Sequence, residues 1–232
     1  MSGLVESASS LLANAQQRAA DSAHNISNMV TPGYRARHSF TGILAGSQPG
    51  SAPSEIISLA EGSMSETGSS FDVALSGDGF FVLDGGAEGR LYTRNGQLRL
   101  DTEGRLIGAG DRPLQAVGGG DLIVPGDALT IQADGTVLAA ERVIGRIAVM
   151  SIAAEALSSG PDGLLRAADD AARPLETPVV RQGFLEASNV VLGDEMIGLM
   201  EAMRRAETGQ RLMNLYDDLM GRAVTTFGQS NG

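Results

Sequence analysis

The chain has 232 residues, no cysteine, no tryptophan and a formal net charge of −11, and all 17 of its basic residues are arginine. The absence of cysteine excludes a disulfide framework and a thiolate metal site or nucleophile, and the acidic balance argues against nucleic-acid binding. Residues 1–20 lack the basic and apolar regions of a signal peptide. No stretch approaches the roughly 20 apolar residues of a membrane span, so we expect no membrane insertion.

A heptad pattern predicts an N-terminal helix over residues 3–29. Two apolar threads recur every seven residues: Val5, Leu12, Ala19 and Ile26, and beside them Ala8, Ala15, Ser22 and Met29. The second thread is mostly small, which permits a neighbouring helix to approach closely. No further helical pattern follows for more than a hundred residues, so a partner helix must come from far away. An ordinary amphipathic helix is the alternative.

The sequence Thr31-Pro32-Gly33 ends this helix, because proline biases the preceding residue away from helical dihedral angles and glycine supplies a turn. Gly33 is a candidate backbone hinge. Asn25 and Asn28 are candidate caps or hydrogen-bond partners across subunits, with ordinary helix-end chemistry as the alternative for these residues.

Residues 35–65 are rich in serine, glycine and proline, with isolated apolar side chains between them. A linker of this length inside a compact domain is uncommon. We therefore expect an extended arm whose apolar residues anchor it along a neighbouring subunit. A surface loop is the alternative.

Short strands separated by turns are predicted between residues 66 and 181. Asn95-Gly96 is a strong hairpin signal and predicts pairing of residues 91–93 with residues 97–100. Further turns are predicted at residues 101–104 and 133–135. The pattern is typical of an all-β domain, either a sandwich or a barrel-like fold.

A second helical pattern occupies the C-terminal segment, residues 182–232. Ser188 or Asn189 is a candidate cap, and the helix proper is expected to begin near Asp194. Its apolar face is rich in methionine, which adapts to irregular neighbours, although a core stripe explains methionine equally. The face consists of Met196, Leu199, Met203, Ala206, Met213 and Met220.

The predicted fold class is α+β, with N- and C-terminal helices forming a coiled-coil-like α layer and a central all-β domain. The predicted segments are the N-terminal helix (1–34), the arm (35–65), the β domain (66–181) and the C-terminal helix (182–232).

No catalytic constellation, cofactor site or metal site is found. His24 and His38 are the only histidines and have no carboxylate at ligand spacing, and the acidic residues beside glycines are explained by turn chemistry. We therefore expect a protein that is not an enzyme. The rival class is a self-contained β-sandwich binding module, for example for glycan, which would show a groove with exposed aromatic side chains.

Four sequence blocks resemble the flagellar basal-body rod and hook protein family, and they occur in the family's order. They are Ala23-His24-Asn25-Ile26-Ser27-Asn28 with Thr31-Pro32-Gly33-Tyr34; Phe71-Asp72-Val73-Ala74-Leu75; Tyr92-Thr93-Arg94-Asn95-Gly96; and Gly183-Phe184-Leu185-Glu186-Ala187-Ser188-Asn189-Val190. The chain departs from the family pattern at His24, where asparagine is usual, at Val30, where a polar residue is usual, and at Ala187, where glycine is usual.

The resemblance implies a structural subunit of the rod that crosses the periplasm and transmits torque. It favours the proximal rod, with distal rod or hook-type subunits as alternatives. It further implies export through the flagellar type III apparatus without a cleaved signal peptide, terminal helices that form an inner tube, and an outer β domain. The implied partners are copies of the chain, neighbouring rod and hook proteins, and the export apparatus.

The pattern and the resemblance together predict a set of assembly-interface residues. These are Val5, Ala8, Leu12, Ala15, Ala19, Asn25, Ile26, Asn28, Pro32, Gly33, Tyr34, Leu185, Glu186, Asn189, Met196, Leu199, Met203, Ala206, Met213 and Met220.

Overall fold

The computed structural model describes residues 2–40, 54–126, 128–160 and 163–229. Helix α1 (Ser2–Ser27) comes first and helix α2 (Leu192–Gln229) comes last, with mostly strands and turns between them. The fold class is therefore α+β, as the sequence predicts. Two compact units divide the chain: a helical unit, with described residues in 2–26 and 191–229, and a β-rich unit, with described residues in 27–40 and 55–190.

The strands of the described ranges are short. Their bounds are β1 (Arg37–Phe40), β2 (Ser54–Ile57), β3 (Met64–Glu66), β4 (Val73–Ser76), β5 (Phe80–Asp84), β6 (Arg90–Thr93), β7 (Arg99–Leu100), β8 (Leu106–Ile107), β9 (Leu129–Ile131), β10 (Thr136–Ala139), β11 (Arg142–Arg146), β12 (Val149–Ser151), β13 (Ser158–Ser159), β14 (Leu165–Arg166), β15 (Arg173–Pro174), β16 (Val179–Gln182) and β17 (Phe184–Glu186).

The largest sheet has the strand order β13-β14-β6-β5-β12-β15, and a smaller sheet has the order β11-β10-β9. The remaining strands form the pairs β1-β2, β4-β16, β3-β17 and β7-β8. Pairs such as β3-β17 and β4-β16 join strands from the start and the end of the β-rich unit, so its two chain ends are tied together by backbone hydrogen bonds.

Strand β5 is apolar from Phe80 to Leu83 because both of its faces are buried there. Phe81 and Leu83 belong to one apolar cluster, whereas Phe80 and Val82 belong to a second one. Successive side chains of a strand point to opposite faces, so the two clusters lie on opposite sides of β5. Ile131 of β9 belongs to the first cluster.

The predicted hairpin around Asn95-Gly96 is wrong. Strand β6 pairs with β5 and β14, and β7 pairs with β8. After the turn the chain runs beside residues 71–73 instead of returning along β6: the Val73 N–H donates to the Gly96 carbonyl at 2.9 Å, and the Leu98 N–H donates to the Phe71 carbonyl at 3.2 Å. Hydrogen bonding to this more distant segment overrides the local turn signal.

Two other predicted turns are confirmed. The turn at residues 101–104 joins the antiparallel strands β7 and β8, and Asp101 accepts hydrogen bonds from the N–H groups of Glu103 and Arg105, both at 2.8 Å. The turn at residues 133–135 joins the antiparallel strands β9 and β10. In both turns an aspartate bonds to the backbone just after it, as such turns require.

The observed boundaries differ from the predicted segments. Residues 54–57 and 64–66, which the sequence assigns to the arm, form β2 and β3, and Ile57 is 1% exposed within the second apolar cluster. Residues 41–53, the rest of the predicted arm, lie outside the described residues. Residues 182–190, which the sequence assigns to the C-terminal helix, belong to the β-rich unit.

The predicted cap of the C-terminal helix is also wrong. Helix α2 begins at Leu192, and the N–H groups of Asp194 and Glu195 donate to the Val191 carbonyl at 3.1 and 3.2 Å. The Asn189 side chain bonds to other segments of the β-rich unit, and the Ser188 hydroxyl accepts from the Val190 N–H at 3.3 Å.

Candidate functional site

A buried carboxylate at the end of β17 gathers four distant segments of the β-rich unit. Glu186 is 1% exposed and forms ion pairs with Arg35, at 2.7 Å, and with Arg94, at 3.3 Å. The Gly62 N–H donates to the same carboxylate at 2.9 Å, and the Gly33 N–H donates to the Glu186 backbone carbonyl at 2.7 Å. These residues come from the end of the N-terminal block, the predicted arm, the block after β6, and the C-terminal block.

The charged groups of this cluster are paired within the β-rich unit, although the Nε atoms of Arg35 and Arg94 have no hydrogen-bond partner there. Arg35 and Arg94 are 4% and 3% exposed, so neither guanidinium is well hydrated. Arg35 also donates to the Ala60 carbonyl, and Arg94 donates to the carbonyls of Leu75 and Gly77. A buried charge is tolerated when it is paired and hydrogen-bonded. The ion pairs and hydrogen bonds of the cluster therefore hold the Glu186 carboxylate in one position.

Burial has an electrostatic consequence for Arg94. Desolvation lowers the pKa of its guanidinium below the ordinary arginine value, and the Glu186 carboxylate opposes that shift. The Arg94 guanidinium also lies over the Phe80 ring, 5.4 Å from its centroid. The ring face thus stabilises the Arg94 cation in addition to the Glu186 carboxylate.

Gly33 lies against the chain that follows β6. Its φ is +66°, and a Cβ built on it would lie 2.2 Å from the Arg94 carbonyl carbon and 2.3 Å from the Asn95 backbone nitrogen. A side chain at this position would collide with backbone, so only glycine fits. The close approach places Arg35 within reach of Glu186.

Asn189 is a second point of attachment between the two chain ends of the β-rich unit. Its amide oxygen accepts from the Ala36 N–H at 2.7 Å, and its amide nitrogen donates to the Ala60 carbonyl at 2.8 Å and to Ser58 at 3.3 Å. Its backbone N–H donates to the Tyr34 carbonyl at 3.3 Å. Residues 33–36, 58–62 and 186–189 therefore form one hydrogen-bonded junction.

In the helical unit, α1 and α2 meet along a seam of small residues. Ala8, Ala15 and Ala202 are 4%, 1% and 1% exposed. A Cβ built on Gly209 would lie 3.5 Å from the Ala8 carbonyl oxygen and from the Leu12 Cβ. The α1 side of this seam is the small heptad thread that the sequence predicts for close approach, and the helix that it meets is α2 of the same chain.

A polar contact marks the other end of the seam. The Asn25 amide donates to the Glu195 carboxylate at 2.7 Å, and these residues are 0% and 6% exposed. Ser22 is close by, because a Cβ on Gly198 would lie 3.2 Å from its hydroxyl oxygen. A buried polar pair at one height of a helix pair fixes the register.

The predicted interface residues divide into four groups by burial and by unit. Those buried in the helical unit are Ala8, Ala15 and Asn25; those buried in the β-rich unit are Gly33, Tyr34 and Glu186; those exposed are Met196, Met203 and Met220. The others are half-buried: Val5, Leu12, Ala19, Ile26, Asn28, Pro32, Leu185, Asn189, Leu199, Ala206 and Met213. Asn28 takes part in a turn, accepting hydrogen bonds from Thr31 at 3.1 and 3.3 Å.

Sequence reasoning missed the partners of Glu186. Arg94 stands in a recognised block but suggested only a turn, and neither Arg35 nor Gly62 was singled out. A usable signal was present: a glutamate inside the apolar strand β17 needs a cation, and the arginine after β6 is such a cation.

No group of acidic and histidine side chains among the described residues is arranged to hold a metal ion. Within the same described ranges, neither helix is long and apolar enough to cross a membrane. The large exposed apolar side chains there are aliphatic or methionine, with no aromatic residue among them.

Two sequence families match parts of the chain. Residues 74–139 match the family described as flagellar hook protein FlgE/F/G D1 domain, and residues 181–226 match the family described as flagellar basal body rod FlgEFG protein C-terminal. The second match includes Glu186, Asn189 and most of α2.

Individual proteins align over most of their length. The chain is 29% identical to flagellar basal-body rod protein FlgF of Caulobacter vibrioides over 224 residues, which is 90% of this chain and 91% of that protein. It is 29% identical to FlgF of Escherichia coli, covering 87% and 88% of the two chains. It is 28% identical to flagellar basal-body rod protein FlgG of Bacillus subtilis, covering 87% and 90%.

Proposed function

We propose that this chain belongs to the flagellar basal-body rod and hook protein family and that it is a structural subunit of the basal-body rod. The observation that carries the proposal is the alignment with FlgF of Caulobacter vibrioides, which spans nine-tenths of both proteins. The relatives are structural proteins of the rod, so the chain acts through assembly and not through catalysis.

Its partners are other rod or hook proteins of the flagellum, and we place the chain in the basal body. We favour the proximal part of the rod, because proteins named FlgF are among the relatives at 29% identity. A distal position of this chain in the rod is the alternative, because a protein named FlgG is also among the relatives, at 28% identity. Export through the flagellar type III apparatus, without a cleaved signal peptide, completes the proposal.

The residues suggest how a rod subunit works. Hydrogen bonds from Gly33 to Glu186 and from Asn189 to Tyr34 hold together the two segments that lead to α1 and α2. The two segments are therefore fixed to each other within the β-rich unit. In the rod, the helices would form a coiled-coil-like axial layer, and the β-rich unit a sandwich or barrel-like outer body.

Helix α2 favours the proposal of assembly because several of its large apolar side chains are exposed to solvent. Met196, Met203 and Leu215 are 51%, 58% and 58% exposed. Contiguous exposed apolar surface is uncommon on monomeric proteins and marks interaction sites. Contacts between subunits of a continuous shaft are heterologous, so each subunit must offer two different faces.

Deletion of the gene in the native bacterium, followed by electron microscopy of basal bodies, tests the proposal. We expect basal bodies whose rod stops short, loss of swimming, and recovery of both when the full chain is supplied. The point at which the rod stops distinguishes a proximal from a distal position. Complete rods and normal swimming in the deletion strain would contradict the proposal.

A further inference from the structure

Helix α2 carries three different faces along its described side chains. One face, with Glu195, Ala202 and Gly209, meets α1 in the small-residue seam. A second face, here called the methionine patch, consists of Met196, Met200 and Met203, which are 51%, 53% and 58% exposed. A third face, the leucine patch, consists of Leu212, Leu215 and Leu219, which are 46%, 58% and 57% exposed.

The two patches differ in direction and in height along the helix. At 3.6 residues per turn, their mean directions lie about 125° apart around the helix axis. Their centres are separated along the axis by about 23 Å, at a rise of 1.5 Å per residue. The spacing within each patch, three or four residues, is the spacing of ridges that pack against another helix. The exposed Ile197 lies at the edge of the methionine patch.

Helix α1 offers no counterpart to these patches. Among its described side chains, from Val5 to Ser27, the exposed positions are polar or alanine, and no large apolar side chain is exposed. Within the described helical unit, the large apolar side chains that are exposed therefore all lie in residues 191–220, and the two patches contain most of them. Methionine adapts its shape to a partner, which suits packing against the stiffer leucines.

We propose that the methionine patch of one copy packs against the leucine patch of the next copy, with the two α2 helices parallel and displaced along their axes by about 23 Å. The inference rests on the proposed function, because only a shaft whose subunits all point the same way requires parallel helices. Because the two patches are different surfaces, the contact is heterologous and can repeat without closing.

Charge supports the same offset. Glu207 lies on the side of the methionine patch and Arg222 lies near the leucine patch, 15 residues further along the helix. At the proposed displacement, Glu207 of one copy comes level with Arg222 of its neighbour. The Arg222 side chain is 76% exposed and pairs with Asp218 at 2.9 Å.

Site-specific cross-linking of the full chain tests the proposal, since the natural sequence contains no cysteine. A tagged Met200→Cys chain is mixed with an untagged Leu215→Cys chain, concentrated and mildly oxidised. Both side chains are more than half exposed, so neither change disturbs the seam. We expect the mixed pair to form a disulfide-linked dimer at least tenfold above either variant alone.

The matched control pairs Met200→Cys with Thr208→Cys. Thr208 is exposed and faces the same direction as the leucine patch, but it lies about 10 Å too near the methionine patch along the axis. This pair should cross-link no more than the single variants. Dominant cross-linking within one variant, which indicates a two-fold dimer, or equal cross-linking of both mixed pairs, would overturn the proposal, and so would no cross-linking in any mixture.

The two proposals can fail separately. The same variants are expressed together in deletion cells, and basal bodies are isolated under oxidising conditions. Rods that form and rotate without the Met200→Cys to Leu215→Cys cross-link would leave the proposed function intact and overturn this contact alone. Failure of the unmodified chain to restore the rod would instead contradict the proposed function.

Discussion

In the β-rich unit the enclosed side chains are large, such as Phe81, Leu83 and Tyr92, each at 0% exposure. In the helical unit the enclosed apolar side chains are alanines, such as Ala15 and Ala202, at 1%. Burying a leucine or phenylalanine contributes about 1.5–3 kcal/mol, whereas one buried methyl-sized group contributes about 0.8 kcal/mol. The β-rich unit thus supplies its own stability, while the large apolar side chains described in the helical unit are half-buried or exposed. That difference is expected of a subunit whose helices complete their burial in an assembly.

The largest expected effect is a loss of stability of the β-rich unit. Glu186→Gln removes the carboxylate that pairs with Arg35 and Arg94, leaving two buried guanidiniums uncompensated. Loss of one partner from a buried ion pair costs about 3–5 kcal/mol. Denaturant unfolding of the β-rich unit, followed by near-ultraviolet circular dichroism, should show that loss.

Glu66→Gln is the matched control, because Glu66 is exposed and lies in β3, which pairs with β17. It should change the free energy of unfolding by less than about 0.5 kcal/mol. Similar losses in the two variants would mean that the buried cluster has no special role.

A smaller effect addresses the helical half. Ala15→Leu inserts a bulky side chain where α1 meets α2, and overpacking of this kind costs about 1–3 kcal/mol. We expect faster hydrogen exchange of the amides of α1 and α2 and unchanged exchange in β5 and β6. Ala13→Leu, at an exposed position of the same helix, is the control. If exchange in the β-rich unit rose as well, the two units would not be energetically separate.

A modest gain is expected at the turn between β10 and β11. Ala140 and Glu141 have φ angles of +48° and +64°. Glycine and asparagine adopt such positive φ angles more readily than other residues do. Ala140→Asn with Glu141→Gly should raise the free energy of unfolding of the β-rich unit by about 1 kcal/mol. Glu141→Gln, which keeps the strained backbone, should give no gain in the same thermal unfolding measurement.

The smallest effect concerns pH. Hydrogen bonds from Arg166, and then from Arg112, lower the pKa of the Glu88 carboxyl below its ordinary value of 4.5. Because the folded state has the lower pKa, this stabilisation is complete above about pH 4.5 and is lost as the pH falls through the folded value. Glu88→Gln should therefore flatten the acid side of the stability curve slightly.

Glu176→Gln provides the comparison, since Glu176 is exposed and has no ion pair with any residue that the structure describes. Its acid profile should match that of the natural chain. A Glu88→Gln profile that also matches would show that these surface pairs do not contribute, as is common for exposed ion pairs.

The local residue pattern predicted the two helices and several turns, and it predicted which face of α1 is closely packed. The threads through Ala8 and Ala15 predicted a helix with a close-packed side, and turns beginning at Asp101 and near Asp134 were predicted correctly. Asn95-Gly96 failed because residues 97–98 bond to residues 71–73, which no local signal encodes. The prediction that Asn189 caps α2 was wrong for the same reason: its side-chain amide bonds to residues 36, 58 and 60, which are distant in the sequence.

By itself, then, the sequence determined the α+β class, the two terminal helices and the family blocks, because these depend on periodicity and on residues near one another in the chain. Tertiary structure decided that Glu186 meets Arg94, 92 residues away, and that α2 turns its small residues inward and its methionines outward. The sequence around a charged residue or an apolar face does not identify the distant residues that it will contact. The partner is set by which distant segments the packed backbone brings within hydrogen-bonding distance.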